Sequence, residues 1–131
     1  MKRALLVEDH AAFREALAKV LEWKAGFERV PQAGSLSEGL ARAGLLDGAL
    51  DVAVVNLGLP DGDGTDLISQ MRSTEPDVPV LVLTLSQDPA RHARALDAGA
   101  DRVLTKDASV EEIVDAVRRL GTGDGAAVAS S

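Results

Sequence analysis

Five polar side chains stand at or just beyond the ends of short apolar runs, where they are placed to act together. They are Glu8, Asp9, Asn56, Thr84 and Lys106. Carboxylates are hard oxygen ligands that suit Mg²⁺. A lysine ammonium group is a point charge that attracts anions, and a threonine hydroxyl can donate one hydrogen bond to an oxyanion. This combination predicts a site for a dianionic group and a divalent cation.

The loop after Asn56 is rich in proline, glycine and aspartate, and a backbone carbonyl such as that of Gly58 is a further candidate ligand. The segment 61–65 begins like a calcium loop. Asp66 and Arg72 stand where that loop requires glycine and glutamate, which excludes an EF-hand. The two histidines, His10 and His92, are isolated in the sequence and are predicted to lie on the surface.

Strand patterns alternate with helical patterns five times along the chain. The apolar runs 4–7, 27–33, 52–56, 80–84 and 103–106 are predicted strands. This alternation predicts an α/β fold in which helices cover both faces of a parallel sheet. Five strands at this length favour the flavodoxin-like order 2-1-3-4-5 in three layers, α/β/α. Pro31 interrupts the second run, which indicates an edge strand.

Parallel strands deliver their carboxyl ends to one edge of the sheet, so the five polar side chains are expected to share a pocket. The alternative is that polar residues end strands in many proteins without forming a site. Glycines are predicted to end three helices, at Gly26, Gly99 and Gly121. The fourth helix has Leu96 as its one large apolar residue, which predicts loose packing.

The composition limits the classes of function. A chain of 131 residues suits one domain, and a net charge of −7 argues against a surface that grips nucleic acid. The absence of cysteine excludes disulfides and thiolate sites. No apolar segment is long enough to cross a membrane, and the residues before the first strand leave no room for a signal peptide. These points predict a cytoplasmic location.

The combination of Glu8-Asp9, the loop 57–64, Thr84 and Lys106 resembles the receiver domain of two-component response regulators, the CheY-like family. The segment 106–109, Lys-Asp-Ala-Ser, is similar to receivers that precede a helix-turn-helix DNA-binding domain. The resemblance implies a receiver domain at 1–121. It also implies that 122–131 is a flexible tail or the start of an interdomain linker.

In that family, an aspartate at the end of the third strand accepts a phosphoryl group from a sensor histidine kinase, and an acidic pair holds Mg²⁺. The resemblance therefore implies that Glu8, Asp9 and the Gly58 carbonyl are metal ligands. It assigns phosphoryl binding and switching to Thr84 and Lys106.

Three positions depart from the family pattern. Asn56 stands at the phosphoacceptor position and in the metal pocket, and a neutral amide oxygen is a poor nucleophile. The pocket also loses a negative charge, which is expected to weaken Mg²⁺ binding. Val103 replaces the usual switch aromatic residue, and Leu85 is bulkier than the small residue that often follows Thr84 and could crowd access to the site. Asn56 is either an engineered substitution or the residue of a natural atypical receiver, and the sequence leaves both open.

The favoured hypothesis is a receiver domain for phosphorelay signalling and transcription regulation that has no catalytic residue, is not an enzyme and is defective in phosphorylation. Its partners would be a sensor histidine kinase and, through an output domain absent from this sequence, DNA, with no membrane contact. One alternative is a phosphorylation-independent module that dimerises through helical faces, either the last helix or the fourth with Arg91, His92 and Arg94. Another is a small phosphoryl-handling enzyme on the same fold.

Overall fold

A computed structural model describes residues 2–46 and 48–122 of the chain. Within them, five main strands alternate with five helices. The strands are β1 (Ala4–Val7), β2 (Gln32–Ala33), β3 (Val52–Asn56), β4 (Val80–Thr84) and β5 (Arg102–Thr105). The helices are α1 (Ala11–Lys24), α2 (Leu36–Leu45), α3 (Gly64–Thr74), α4 (Pro89–Ala98) and α5 (Val110–Thr122). After β3, a short antiparallel ladder pairs Gly58–Leu59 with Gly62–Asp63.

The five strands form one parallel sheet in the order β2-β1-β3-β4-β5, which confirms the predicted topology. The register places Val7 beside Val55, Asn56 beside Leu83, and Thr84 beside Thr105. The carboxyl ends of the neighbouring strands β1, β3, β4 and β5 are therefore nearly level. Side chains that follow them emerge at the same edge of the sheet.

Two apolar layers sandwich the sheet, as the predicted α/β/α arrangement requires. One face packs against α1 and α5, through residues such as Leu17, Leu21 and Val117. The other packs against α2, α3 and α4, with Leu67, Ile68 and Met71 of α3 fully buried. All residues of β3 and β4 are buried, because the sheet is covered on both faces.

The second strand is shorter than the sequence predicted. Only Gln32–Ala33 pairs with β1, while Phe27 makes a single isolated bridge to Lys2. The N–H of Val30 donates to the carboxylate of Glu22, and Pro31 has no N–H to donate. The chain therefore enters the ladder only after the proline. The predicted edge position of this strand is confirmed.

Helix ends agree with the sequence at most positions. Gly26 and Gly99 follow α1 and α4 with φ values of 75° and 122°, a region that favours glycine. The prediction that Gly121 ends the last helix is wrong, because α5 includes this residue. A β-carbon there would lie 3.0 Å from the Phe27 ring, so Gly121 permits close packing of α5. The proposed tail lies outside the described residues from 123 onward.

The fourth helix packs through a different residue from the one expected. Leu96 is half exposed, whereas Ala95 is fully buried against the sheet. The large apolar residue of this helix therefore faces solvent, and a small residue makes the contact with the core. No helix in the part of the chain that the structure describes is long and apolar enough to cross a lipid bilayer.

Candidate functional site

The polar groups at the strand tips meet in one open cavity of about 570 Å³. Of the six candidate ligand and anion-binding residues, five line it directly: Asp9, Asn56, Gly58, Thr84 and Lys106. Glu8 lies at its base and is only 1% exposed. The structure therefore brings together all six of the candidate ligand and anion-binding residues at the carboxyl edge of the sheet.

Asn56 occupies the centre of this group. Its Nδ2 atom lies 2.7 Å from the carbonyl oxygen of Gly58, 3.0 Å from Asp9 Oδ1 and 3.5 Å from Glu8 Oε2. All three oxygens are acceptors only, since a carbonyl and two ionised carboxylates carry no proton to donate. The amide must therefore present its NH₂ side to them.

A buried ion pair links β1 to β5. Lys106 Nζ lies 2.5 Å from Glu8 Oε1, and the two side chains are 10% and 2% exposed. The other carboxylate oxygen of Glu8 accepts a hydrogen bond of 2.9 Å from the N–H of His10. The ammonium group also lies 4.8 Å from the centre of the Phe13 ring, within range of a cation–π contact. These partners offset part of the cost of burying two charges.

Thr84 ends β4 beside Lys106. Its hydroxyl oxygen accepts a hydrogen bond of 3.0 Å from the N–H of Ser86 and is left with its own proton to donate. The carbonyl oxygen of Thr84 accepts from the N–H of Lys106 at 2.9 Å, which ties the tips of β4 and β5 together. A donor hydroxyl and an ammonium group therefore both belong to the cavity wall.

The loop between β3 and α3 is folded tightly against the end of the strand. The N–H of Gly64 donates to the carbonyl of Leu57 at 2.8 Å. A β-carbon at position 64 would lie 2.4 Å from the carbonyl oxygen of Asn56, so only glycine fits there. This contact fixes the start of α3 against the residue at the centre of the site.

Asp61, at the tip of the same loop, reaches across to α2. Its carboxylate accepts hydrogen bonds from the N–H of Leu36 at 2.7 Å and of Ser37 at 3.0 Å. The N–H groups of Ser37 and, next, Leu36 hold the pKa of Asp61 below its ordinary value, because they favour the charged form. The loop is thereby connected to the N-terminus of a second helix.

Four residues of the cavity wall were not predicted as part of the site: His10, Phe13, Ser86 and Arg91. His10 is exposed, as predicted, and in addition its Nδ1 accepts from the N–H of Phe13 and caps α1. Its place directly after the two strand-tip carboxylates was the available signal. Arg91 was considered in the sequence as part of a partner face on the fourth helix, whereas it is half-buried and lies 3.4 Å from Asp63.

The two remaining candidate residues lie at different depths. Leu85 is 78% exposed and stands at the rim of the cavity. Val103, on β5, is half-buried and packs against the layer that contains α2, α3 and α4.

Residues 4–118 match the response regulator receiver domain family. The chain belongs to this family.

The chain is 34% identical over 123 residues to the DNA-binding transcriptional activator DevR/DosR of Mycobacterium tuberculosis, a match that covers 94% of the chain and 56% of that protein. It is 32% identical over 122 residues to the response regulator VraR of Staphylococcus aureus, covering 93% and 57%. This receiver domain thus spans about half the length of these relatives. The predicted resemblance to receivers of DNA-binding regulators is confirmed.

A solved structure supports the same assignment. A response regulator from Burkholderia pseudomallei, described with a phosphorylated aspartic acid, calcium ion and citrate, is 32% identical. It superposes with a TM-score of 0.80 over 98% of this chain and 73% of that one.

The oxygen atoms at the centre of the receiver-domain site are of the kinds that bind divalent cations. Two carboxylates and a carbonyl converge on one point, and Mg²⁺ needs only one or two carboxylates because it keeps several waters. That point is taken by the amide nitrogen of Asn56. Among the residues that the structure describes, no group of three or more acidic or histidine side chains is gathered. The residues fit a hydrated Mg²⁺ once the amide has turned its oxygen toward the ion.

Proposed function

We propose that the chain is the receiver domain of a DNA-binding response regulator, that Asn56 stands at its phosphoacceptor position, and that it does not accept a phosphoryl group there. The observation that carries this proposal is the placement of the Asn56 amide among Glu8, Asp9 and the Gly58 carbonyl. The family and the DNA-binding relative support the regulatory role. The domain acts through binding and has no turnover of its own.

The proposed roles of the surrounding residues follow from their chemistry. Glu8, Asp9 and the Gly58 carbonyl would hold Mg²⁺, which neutralises charge on a phosphoryl group when it is bound. The Thr84 hydroxyl and the Lys106 ammonium would bind phosphoryl oxygens, and a sensor histidine kinase would be the donor. These roles are supported by the cavity lining, which includes Asp9, Gly58, Thr84 and Lys106, and by the ion pair of Lys106 with the buried Glu8. The missing element is the nucleophile.

Asn56 lacks the property that phosphoryl transfer requires. A carboxylate oxygen carries a negative charge and an available lone pair, whereas an amide oxygen is neutral and its electrons are shared with nitrogen. The NH₂ group of Asn56 is also the side that faces the other oxygens of the site. Substitution by aspartate restores the charge with almost no change of shape.

The test is phosphorylation of matched variants. The purified chain and Asn56→Asp are incubated with acetyl phosphate and Mg²⁺, and intact mass and peptide mapping locate any added phosphoryl group. We expect none on the native chain and one at position 56 of Asn56→Asp, with Asn56→Ala as the unreactive control. A phosphoryl group mapped to Asn56 itself in the native chain would refute the proposal.

Failure of Asn56→Asp to react would favour the second candidate, a phosphorylation-independent interaction module. One observation supports this candidate: the pocket is already assembled around the amide, with every donor hydrogen of Asn56 directed at an acceptor. Such a module would carry its signal through contacts with a partner and not through the chemistry of this pocket.

A further inference from the structure

The geometry around Asn56 Nδ2 is that of a small coordination site. Three oxygens converge on this single atom, the Gly58 carbonyl from the loop after β3 at 2.7 Å and the carboxylates of Asp9 and Glu8 from the end of β1 at 3.0 and 3.5 Å. The carboxylate of Glu8 is buried and that of Asp9 is exposed. Two negative charges and the negative end of a carbonyl dipole therefore converge on one position. Positive charge at that position offsets the repulsion between these oxygens.

The NH₂ group supplies that positive charge in partial form. Each amide hydrogen carries a partial positive charge, and hydrogen bonds to ionised acceptors are stronger than those between neutral groups. The two shorter contacts, to the Gly58 carbonyl and to Asp9, use both hydrogens. The longer contact to Glu8 is left as an electrostatic one, and Glu8 takes its main charge partner from Lys106.

The reverse orientation of the amide is unfavourable. It would put the carbonyl oxygen of Asn56 against the Gly58 carbonyl and the Asp9 carboxylate, at distances where only a hydrogen bond is tolerated. Neither partner has a proton to offer. Without a cation, the amide therefore directs its NH₂ group at these oxygens. With a cation, the amide would have to be turned so that its oxygen faces the ion.

We propose that the NH₂ group of Asn56 substitutes for a divalent cation, so that the strand tips and the loop after β3 are held in their assembled arrangement without metal. This inference rests on the proposed function in one respect, since it takes Glu8, Asp9 and Gly58 to be the cation ligands. With a cation bound, the Asn56 side chain would turn its oxygen toward it by rotation about the Cβ–Cγ bond. In Asn56→Asp, a third carboxylate would face the same oxygens and be repelled by them. The strand tips of this variant would therefore need a bound metal ion to keep their assembled arrangement.

The chain offers a direct spectroscopic test, because Asn56 is its single asparagine and only three glutamines, Gln32, Gln70 and Gln87, accompany it. The ¹H–¹⁵N spectrum of the native chain therefore contains four side-chain amide pairs, and the pair absent from Asn56→Asp belongs to residue 56. In buffer with EDTA we expect the Asn56 pair to exchange with solvent at least ten-fold more slowly than that of exposed Gln87. Exchange as fast as that of Gln87 would overturn the proposal.

Addition of MgCl₂ tests the substitution itself. At concentrations that bind, the Asn56 pair is expected to shift and lose its protection as the NH₂ group turns away, while the glutamine pairs keep their positions. Protection unchanged by magnesium, in a sample whose Asp9 and Gly58 backbone resonances show that the ion is bound, would contradict the proposal.

Thermal melting of three variants separates the amide from a mere loss of charge. With EDTA, the native chain is expected to melt several degrees above Asn56→Ala, which lacks the NH₂ donors but has the same charge. Magnesium should raise the melting temperature of Asn56→Asp most and that of the native chain least. Equal melting of the native chain and Asn56→Ala in EDTA would refute the inference.

The two proposals fail separately. A native chain that becomes phosphorylated refutes the proposed function and leaves the protection of the Asn56 amide as it was measured. An unprotected amide refutes the substitution for a cation and leaves the phosphorylation defect standing.

Discussion

Glu8 and Lys106 show how a single contact controls the site at the level of residues. The carboxylate lies beneath the cavity, almost fully buried, and the ammonium group reaches it from the end of β5. Removing one partner of a buried pair leaves the other charge without compensation, which costs more than the pair itself contributes.

Lys106→Met is therefore expected to lower the free energy of unfolding by about 3 kcal/mol, because Glu8 would be left buried and unpaired. Urea unfolding at neutral pH measures this change. The matched control is Arg119→Met, which removes an exposed ion pair with Asp115 and should cost less than about 1 kcal/mol. Equal effects of the two substitutions would show that burial does not matter at Lys106.

The positions of the site residues were predictable, and their orientations were not. Polar residues at the ends of parallel strands must share an edge, so Glu8, Asn56, Thr84 and Lys106 were found from the strand pattern. Which side of the Asn56 amide faces inward depends on Glu8 and Asp9, from a distant part of the chain, as well as on the nearby Gly58 carbonyl. Arg91 was missed for a similar reason, since its contact with Asp63 depends on the angle at which α4 leaves the sheet.

At the level of elements, one carboxylate connects the site loop to a helix that carries no site residue. The Asp61 carboxylate accepts hydrogen bonds from the N–H groups of Leu36 and Ser37 at the start of α2. The Ser35 hydroxyl caps the same helix by accepting from the N–H of Glu38. The first-turn N–H groups of a helix have no partners within it, so this carboxylate satisfies two of them. Movement of the loop and of α2 should therefore be coupled.

The stability conferred by Asp61 should depend on pH. Its pKa in the folded chain is lowered by the N–H donors of Ser37 and Leu36, so its contribution is present above the unfolded value of about 3.9 and is lost as pH falls through the folded value. Asp61→Asn is thus expected to melt at a lower temperature than the native chain at pH 7, with a difference that shrinks below about pH 4.

Thermal melts of both chains between pH 7 and pH 2.5 check this expectation, with the exposed Asp77→Asn as a control that should show no such trend. A difference between the native chain and Asp61→Asn that stays constant across this range would contradict the assigned hydrogen bonds.

The elements themselves were predicted well where pattern and packing agree. Strand–helix alternation determined the sheet and its order. The errors fall where a neighbouring element decides the outcome. The ring of Phe27 explains why Gly121 lies within α5, and Glu22 withdraws the N–H of Val30 from the second strand.

At the level of the whole molecule, the absence of a carboxylate at position 56 should make the assembly of the chain indifferent to phosphoryl mimics. Beryllofluoride needs a carboxylate oxygen to bind in a stable phosphoryl-like form. Sedimentation velocity is expected to give the same coefficient for the native chain with and without Mg²⁺ and beryllofluoride. A change of assembly in the native chain would contradict this expectation, and Asn56→Asp serves as the chain that is able to respond.

The two-residue edge strand has a consequence for aggregation. An exposed strand edge attracts other chains through its row of unpaired N–H and C=O groups, and short edges that begin at proline weaken this attraction. Gln32–Ala33 follows Pro31 and presents very few such groups. Growth of the sheet by a foreign strand is therefore disfavoured along β2, and a protein that docks on this flank has to recognise side chains of the adjoining helices.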